Sequence, residues 1–340
     1  MNTLTFSTNT QIKSKLTDML GIRYPIIQAP MFLVSNVDMV VAASEAGAIG
    51  TFPALNYRPN EKLQEALKQM KSRTQKPIGM NIIVNKSNTR AKDDLKYALD
   101  AGVNLFITSL GSPKEVIAEA HKNGAKVVCD VVNLEHAMKV QDLGADGVIA
   151  VGAGAGGHAG PLSPIVLVNW LTSKLDIPVI AAGGIANGAT MASMMTLGAA
   201  GVSIGTRFIA SHEAQVETAY KDAILKASPE DIVMTTRVSG TPAAVIKTPY
   251  IEKIGLDLPW YFQITKNNKH LKKYVTGLIH YLGSKSLEQA AVGPTWKTVW
   301  SAGQSVGLIE EVLTCEQIIK KLVDEYQQAL NKTPELSEIK

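Results

Sequence analysis

Cysteine is scarce in this chain of 340 residues: there are two, Cys129 and Cys315. Two cysteines so far apart build no disulfide framework, and they fit a reducing compartment. Long apolar runs are missing too, none nearing the roughly eighteen residues that span a bilayer. Lysine and arginine are spread along helical-looking segments and the formal net charge is only +4, so neither nucleic acid nor a membrane surface is implied as a partner. No group of His, Cys, Asp and Glu has metal-ligand spacing. The first ten residues hold no basic stretch followed by an apolar core, so the expectation is a soluble cytoplasmic protein. What remains is an ordinary globular composition, long enough for one barrel-type domain of roughly 250 residues plus an extension.

Glycine, by contrast, is concentrated. Residues 152–160 read Gly-Ala-Gly-Ala-Gly-Gly-His-Ala-Gly, with His158 inside the run. The apolar stretch before it, ending at Val151, reads as a short buried strand, and Pro161 and Pro164 delay the next helix to about Ile165. Glycines at such a strand end suggest a flat or anionic ligand against the main chain, where a Cβ would take up the space. Gly152, Gly154 and Gly157 formally satisfy G-x-G-x-x-G, but that dinucleotide fingerprint needs an immediate helix and an acidic residue at the end of a second strand. Here the helix is postponed and Asp176 lies at the end of a helix, so the Rossmann reading is the weaker one.

Along the chain, short β-branched runs alternate with amphipathic stretches. The runs are 25–29, 48–52, 78–84, 104–109, 126–131, 147–151, 177–182 and 201–206. Between them lie segments with apolar residues at helical spacing, several stopped by glycine at Gly102, Gly124, Gly144 and Gly198. Nearly continuous apolar strands imply burial on both faces and a parallel sheet. Eight consecutive βα units predict an α/β fold, a (β/α)8 TIM barrel, since an open doubly wound sheet more usually stops earlier.

In a barrel the active site lies at the C-terminal ends of the strands. Those ends carry Gln28-Ala29-Pro30-Met31, Asn81, Ser109, Asp130, the loop with His158, Gly183-Gly184, and Ser203-Ile204-Gly205-Thr206. The loops after strands seven and eight, with a helix N-terminus, are the usual phosphate site, which makes Gly183, Gly184, Gly205 and Thr206 candidates for gripping a phosphate. Asp130 is suited to accept a hydrogen bond from a ligand hydroxyl or from a loop amide. Cys129 reads as a small core residue, and His121, His136, His212, His270 and His280 read as surface residues.

Taken together, Ala29-Pro30-Met31, the strand Gly79-Met80-Asn81, the run Ala155 to Gly160 around His158, Pro178 to Ile185, Gly205-Thr206-Arg207-Phe208 and the late Trp300-Ser-Ala-Gly-Gln304 resemble the FMN-dependent nitronate monooxygenases, over about residues 15–320. The resemblance implies FMN held non-covalently, its phosphate near Gly183, Gly184, Gly205 and Thr206 and its ring near Ala29, Pro30, Met31 and Asn81. It puts Gly156, Gly157, Asp130 and Ser203 at the cofactor, and His158 on the substrate side. Val151 stands where many members carry glutamine, Gly154 where glutamate is frequent, and Ser203 where another glutamine is frequent, so the fine FMN contacts are expected to differ there. The same barrel also resembles the flavin-dependent enoyl-acyl-carrier-protein reductases and NADH:quinone reductases.

The implied reaction is oxidation of an alkyl nitronate by O2 to a carbonyl compound and nitrite. His158 has two possible roles in it: a general base on a neutral nitroalkane, or, protonated, a positive partner for the nitro oxygens, with the Gly156 and Gly157 amides serving the same anion. One alternative is an NAD(P)H-dependent FMN reductase; another is a flavin-free phosphate-binding isomerase or lyase. No lysine ends strand six, which removes Schiff-base aldolase chemistry, and no cysteine follows it, which argues against inosine-phosphate dehydrogenase chemistry.

Three parts are expected: an FMN-binding barrel over 15–228, an insertion or lid over 229–300, and a helical segment over 301–340 that returns to the barrel. Thr235 to Val245, with Gly240 and Pro242, reads as a loop, and by the resemblance Trp300 and Gln304 come back towards the flavin. The last helix, 315–330, is expected to dock on the barrel or on a partner subunit of a homodimer.

Overall fold

The structure, a computed structural model, describes residues 11–237, 241–257 and 299–337. Its strands are β1 (Ile26–Gln28), β2 (Ile49–Pro53), β3 (Ile78–Ile83), β4 (Leu105–Ser109), β5 (Lys126–Val131), β6 (Gly147–Val151), β7 (Gly157–His158), β8 (Val179–Ala182), β9 (Gly201–Ile204), β10 (Ile232–Thr235) and β11 (Ala243–Ile246). Those from β1 to β6, with β8 and β9, pair in parallel and in chain order, and β9 returns to β1 through Ile26↔Val202 and Ile27↔Ser203, closing the barrel. All eight β-branched runs of the sequence are strands of this barrel.

Helices α1 (Lys15–Leu20), α2 (Val37–Glu45), α3 (Asn60–Arg73), α4 (Ala91–Asp100), α5 (Lys114–Lys122), α6 (Leu134–Asp142), α7 (Pro164–Thr172), α8 (Gly188–Thr196), α9 (Thr206–Ile209), α10 (Thr218–Lys226), α11 (Pro249–Ile254) and α12 (Cys315–Ser337) accompany the strands. Several starts are chemically marked. Asn36, Asn133 and Asn187 sit at the N-caps of α2, α6 and α8, where their side chains accept from the backbone N–H three residues on. The turns after α4, α5, α6 and α8 pass through a glycine in left-handed backbone, as the sequence predicts.

Side chains alternate across each barrel strand and so sort into two layers. Phe106, Val127, Val148 and Val202 point outward into the core shared with the helices. Ile27, Ile49, Leu105, Ile107, Val128, Ile149 and Ile180 point inward and fill the barrel together with Leu16 and Leu20 of α1. The barrel is therefore a packed core below its mouth.

One expectation is overturned. The stretch 235–245, read as a loop, holds the end of β10 and most of β11, which pair antiparallel from Ile232↔Ile246 to Thr235↔Ala243. Pro242 marks the connection between two β-branched runs; it does not dissolve them. β11 also pairs with β7 through Ala243↔His158 and Ala244↔Gly157, making a second, three-stranded sheet. Most of the expected lid, together with His270 and His280, lies outside the described residues.

The last helix docks on α8 and α2, burying Ile318, Ile319, Leu322 and Val323. Leu322 is 2% exposed. Replacing it with alanine is expected to cost about 2–5 kcal/mol of stability, read as a lowered urea midpoint with the slope unchanged.

Candidate functional site

The same alternation decides what meets at the mouth. Continuing the inward positions upward gives Ala29 after β1, Asn81 on β3, Ser109 on β4, Asp130 on β5, Val151 on β6, Ala182 on β8, and Ser203 and Gly205 on and after β9. All of them line one cavity of about 1200 Å³. Pro30, Met31, Gly154, Gly156, Gly157, His158, Gly183, Gly184, Thr206 and Trp300 line it too. Of the candidate cofactor, substrate and catalytic residues, Gln304 does not: it is exposed, and its N–H donates to the Gly154 carbonyl at 3.0 Å. Gln28 is fully buried and structural, its amide accepting from Thr51 N–H and donating to Ser35 Oγ.

His158 is carried on a tethered loop. The Gly154 carbonyl accepts from Gly184 N–H at 3.3 Å as well as from Gln304 N–H, and Gly152 N–H donates to Ala182 at 3.0 Å. The 301–303 segment is itself fixed: Tyr220 donates through its hydroxyl to the Ser301 carbonyl at 2.6 Å, and its ring stacks on Trp300 with centroids 5.5 Å apart. Gly303 N–H donates to Thr206 Oγ1 at 2.9 Å. With β7 paired to β11, the imidazole is exposed to the cavity on backbone held from both sides.

Two of the glycines have a different reason from the one expected. A Cβ at Gly156 would lie 2.9 Å from Ala302 C and Gly303 N, and one at Gly183, whose φ is +106°, would lie 3.0 Å from Ala155 N and Gly152 O. Both positions are glycine because two protein backbones cross there. Gly184 differs: no atom lies within 4 Å of its would-be Cβ, and its φ of +74° is what calls for glycine, while its N–H is taken by the Gly154 carbonyl.

The expected phosphate site is also reshaped. The N-terminus of α8 is already occupied, since Asn187 Oδ1 accepts from Thr190 N–H and Glu325 Oε2 accepts from Gly188 N–H at 2.8 Å. A carboxylate from α12 satisfies the donors and the helix dipole that a phosphate would otherwise use. Gly184, Gly205 and Thr206 remain on the cavity wall.

On the opposite side runs a hydrogen-bond chain. Asn81 Nδ2 donates to the Ile107 carbonyl at 3.1 Å and to Ser109 Oγ at 2.8 Å. Ser109 Oγ donates to Asp130 Oδ2 at 2.6 Å. Asp130 is exposed to the cavity at the bottom of the barrel mouth, and the protein packed around that mouth pushes its carboxyl up to about 6 by desolvation, against the lowering effect of the Ser109 hydrogen bond. Neighbouring Cys129 is a core residue, as expected, its thiol pushed up to about 11 by burial. His121, His136 and His212 are exposed, although His136 also borders the cavity. Among the described residues no metal-binding cluster occurs and no helix is long and apolar enough to cross a membrane. The sequence reading missed Tyr220 and the role of Ser109; the inward parity of β4 and β5 was the available signal for the latter.

The raised Asp130 makes stability depend on pH. Between the unfolded value of 3.8 and about 6 the folded state binds more protons than the unfolded state, so stability falls as pH rises through that window and stays low above it. Asp130→Asn is expected to melt at a higher temperature than the parent above pH of about 6 and to converge with it at more acid pH. A variant equally or less stable at every pH would contradict the assignment.

Comparison with known proteins fits this geometry. A family model described as nitronate monooxygenase matches residues 13–325. A Mycobacterium tuberculosis protein described as (3aS,4S,5R,7aS)-5-hydroxy-7a-methyl-1-oxo-octahydro-1H-indene-4-carboxyl-CoA dehydrogenase is 30% identical, over 92% of this chain and 96% of that protein. Among solved structures, FabK from Thermotoga maritima superposes with a TM-score of 0.82 at 34% identity, over 96% of this chain and 100% of that one. A nitroalkane oxidase from Streptomyces ansochromogenes superposes with a TM-score of 0.79 at 25% identity, over 94% and 100%. The isomerase or lyase reading has no counterpart among these relatives. This chain belongs to the nitronate monooxygenase family and is a flavin-dependent oxidoreductase.

Proposed function

We propose that this chain holds FMN at the barrel mouth and oxidises alkyl nitronates with O2, giving a carbonyl compound and nitrite. The observation that carries the reading is His158, exposed on a loop tied at Gly152, Gly154 and β7, lining the same cavity as the strand-end residues. The residues present fit the cofactor. A cavity of about 1200 Å³ exceeds the usual ligand pocket of roughly 300–1,000 Å³, which leaves room for cofactor and substrate together. Gly183, Gly184, Gly205 and Thr206 line the wall where a phosphate would lie; Thr206 Oγ1 accepts from Gly303 N–H and keeps its own hydrogen to donate. Ala29, Pro30, Met31 and Asn81 form the wall against which the ring would lie, with Ser203, Gly156 and Gly157 completing the surround. Bound FMN supplies the two-electron acceptor that no side chain provides.

His158 meets the substrate. Its imidazole donates to, and when protonated neutralises, the nitro oxygens of the bound nitronate, on a backbone already fixed before the substrate arrives. Trp300, stacked on Tyr220, closes an adjacent part of the wall.

A specific observation favours a second reading, an NAD(P)H-dependent reductase: identity to FabK and to the CoA dehydrogenase, 34% and 30%, exceeds the 25% to the nitroalkane oxidase. Anaerobic mixing of the flavin-loaded protein with propionate 3-nitronate, NADH and NADPH separately distinguishes the two. Bleaching of the flavin by the nitronate alone is the expected result; rapid bleaching by a nicotinamide alone would transfer the assignment to a reductase. His158→Asn is expected to retain flavin and to lose about a hundredfold or more of the turnover on propionate 3-nitronate. Unchanged turnover would remove the histidine from the chemistry.

A further inference from the structure

Asp130 is a carboxylate that the nitronate reaction does not use. A nitronate arrives already deprotonated, and His158 suffices to meet its nitro group. Yet the structure orients Asp130 with care. Asn81 spends one amide hydrogen on the Ile107 carbonyl, which can only accept, and the other on Ser109 Oγ. The Ser109 hydroxyl, having accepted from Asn81, has its hydrogen left for Asp130 Oδ2. The chain therefore runs one way and ends on a carboxylate whose Oδ2 is held, on a residue exposed to the cavity that His158 also lines. On the β6 side Asp130 is registered with Ile149, and the next inward residue is Val151. Neither offers a donor, so Ser109 is the partner of this carboxylate.

We propose, resting on the nitronate reading above, that Asp130 is the base that takes the α-proton of a neutral nitroalkane, so that the chain accepts carbon acids as well as ready-made nitronates. The α C–H bond breaks, its electron pair moves into a new C=N bond and on to a nitro oxygen facing His158, and the proton passes to Asp130 Oδ1 and then to water. No oxidant takes part in this step. The division of labour follows from position: Asp130 lies within the barrel mouth at the end of β5, and His158 on the tethered loop after β6. The raised carboxyl suits the task, because a base near neutrality is ionised at working pH while still holding a proton usefully. The other charged or titratable groups that share the cavity are Arg58, Cys129, His136, Lys139, His158, Glu217 and Tyr220; the shift itself comes from desolvation, countered by Ser109.

The test uses flavin-loaded parent, Asp130→Asn and Ser109→Ala proteins with nitroethane, α-deuterated nitroethane and ethyl nitronate. In Asp130→Asn, kcat/KM for nitroethane is expected to fall about a hundredfold or more relative to that for ethyl nitronate. The parent is expected to show an isotope effect on nitroethane, and a rate rising with pH through about 6 that the variant lacks. Ser109→Ala, which removes a hydrogen bond that favours the charged form, is expected to move that rise to higher pH. Anaerobic exchange of the α-deuterium with water, followed by NMR, reads the same proton transfer without turnover, and Asp130→Asn is expected to abolish it. If ethyl nitronate does not bleach the parent flavin while the exchange persists and needs Asp130, the nitronate reading falls and the base stands. Equal losses on both substrates, or exchange undiminished in Asp130→Asn, overturns the base.

Discussion

Closure of eight parallel strands is the constraint from which the rest follows. Once β9 returns to β1, each strand has an inside and an outside, and the side-chain period of two leaves no freedom over which residue goes where. Below the mouth the inward positions are Ile27, Leu105, Ile107, Val128, Ile149 and Ile180, too bulky to leave a channel. At the mouth the same parity delivers Asn81, Ser109, Asp130, Val151 and Ser203, four of them polar. The change from apolar to polar along a single inward row is what turns the top of a packed core into a site, and a shift of one residue in any strand would exchange the two sets.

A barrel mouth alone does not fix a loop. The segment with His158 gains its rigidity from outside the barrel, through β7 on β11 and through the 301–304 segment lying against Gly154 and Gly156. The glycines answer to that arrangement: a side chain at Gly156 or Gly183 would push the two backbones apart before any ligand was involved. Conformational entropy that a free glycine-rich loop would lose on binding a substrate is instead lost on folding, where sheet pairing and hydrogen bonds offset it.

The sequence disclosed the barrel because its signals were local. Each strand is a short β-branched run and many helix ends carry a glycine, so pattern and structure agree within a residue or two from Pro25 to Thr206. The candidate site was legible for the same reason, since strand ends in a barrel of known direction converge. What escaped was non-local. β7 is two residues long and pairs with a strand some eighty-five positions later; Glu325 fills the α8 N-terminus from 137 residues away; Tyr220 finds the Ser301 carbonyl from 81 away. No local periodicity encodes such contacts. The expectation that Gly152 to Gly160 are glycines because a ligand lies on them failed for Gly156, because the space is filled by a chain segment that a linear reading cannot bring near.

Relatives with different described chemistries share this frame, so the chemistry must reside in the side chains at the mouth. The departure at Val151 is then more than a lost cofactor contact. A glutamine there would reach up beside Asp130 and could give the carboxylate a second donor, drawing its pKa down. Valine instead leaves the β6 side of the carboxylate apolar, next to Ile149, and adds no donor to the single Ser109 hydrogen bond that opposes desolvation. One exchange on an inward position would thus alter the ionisation of a residue on the neighbouring strand while leaving the strand pairing of the barrel in place. The frame decides which residues meet; the identity of an apolar neighbour decides whether one of them is a structural anion or a working base.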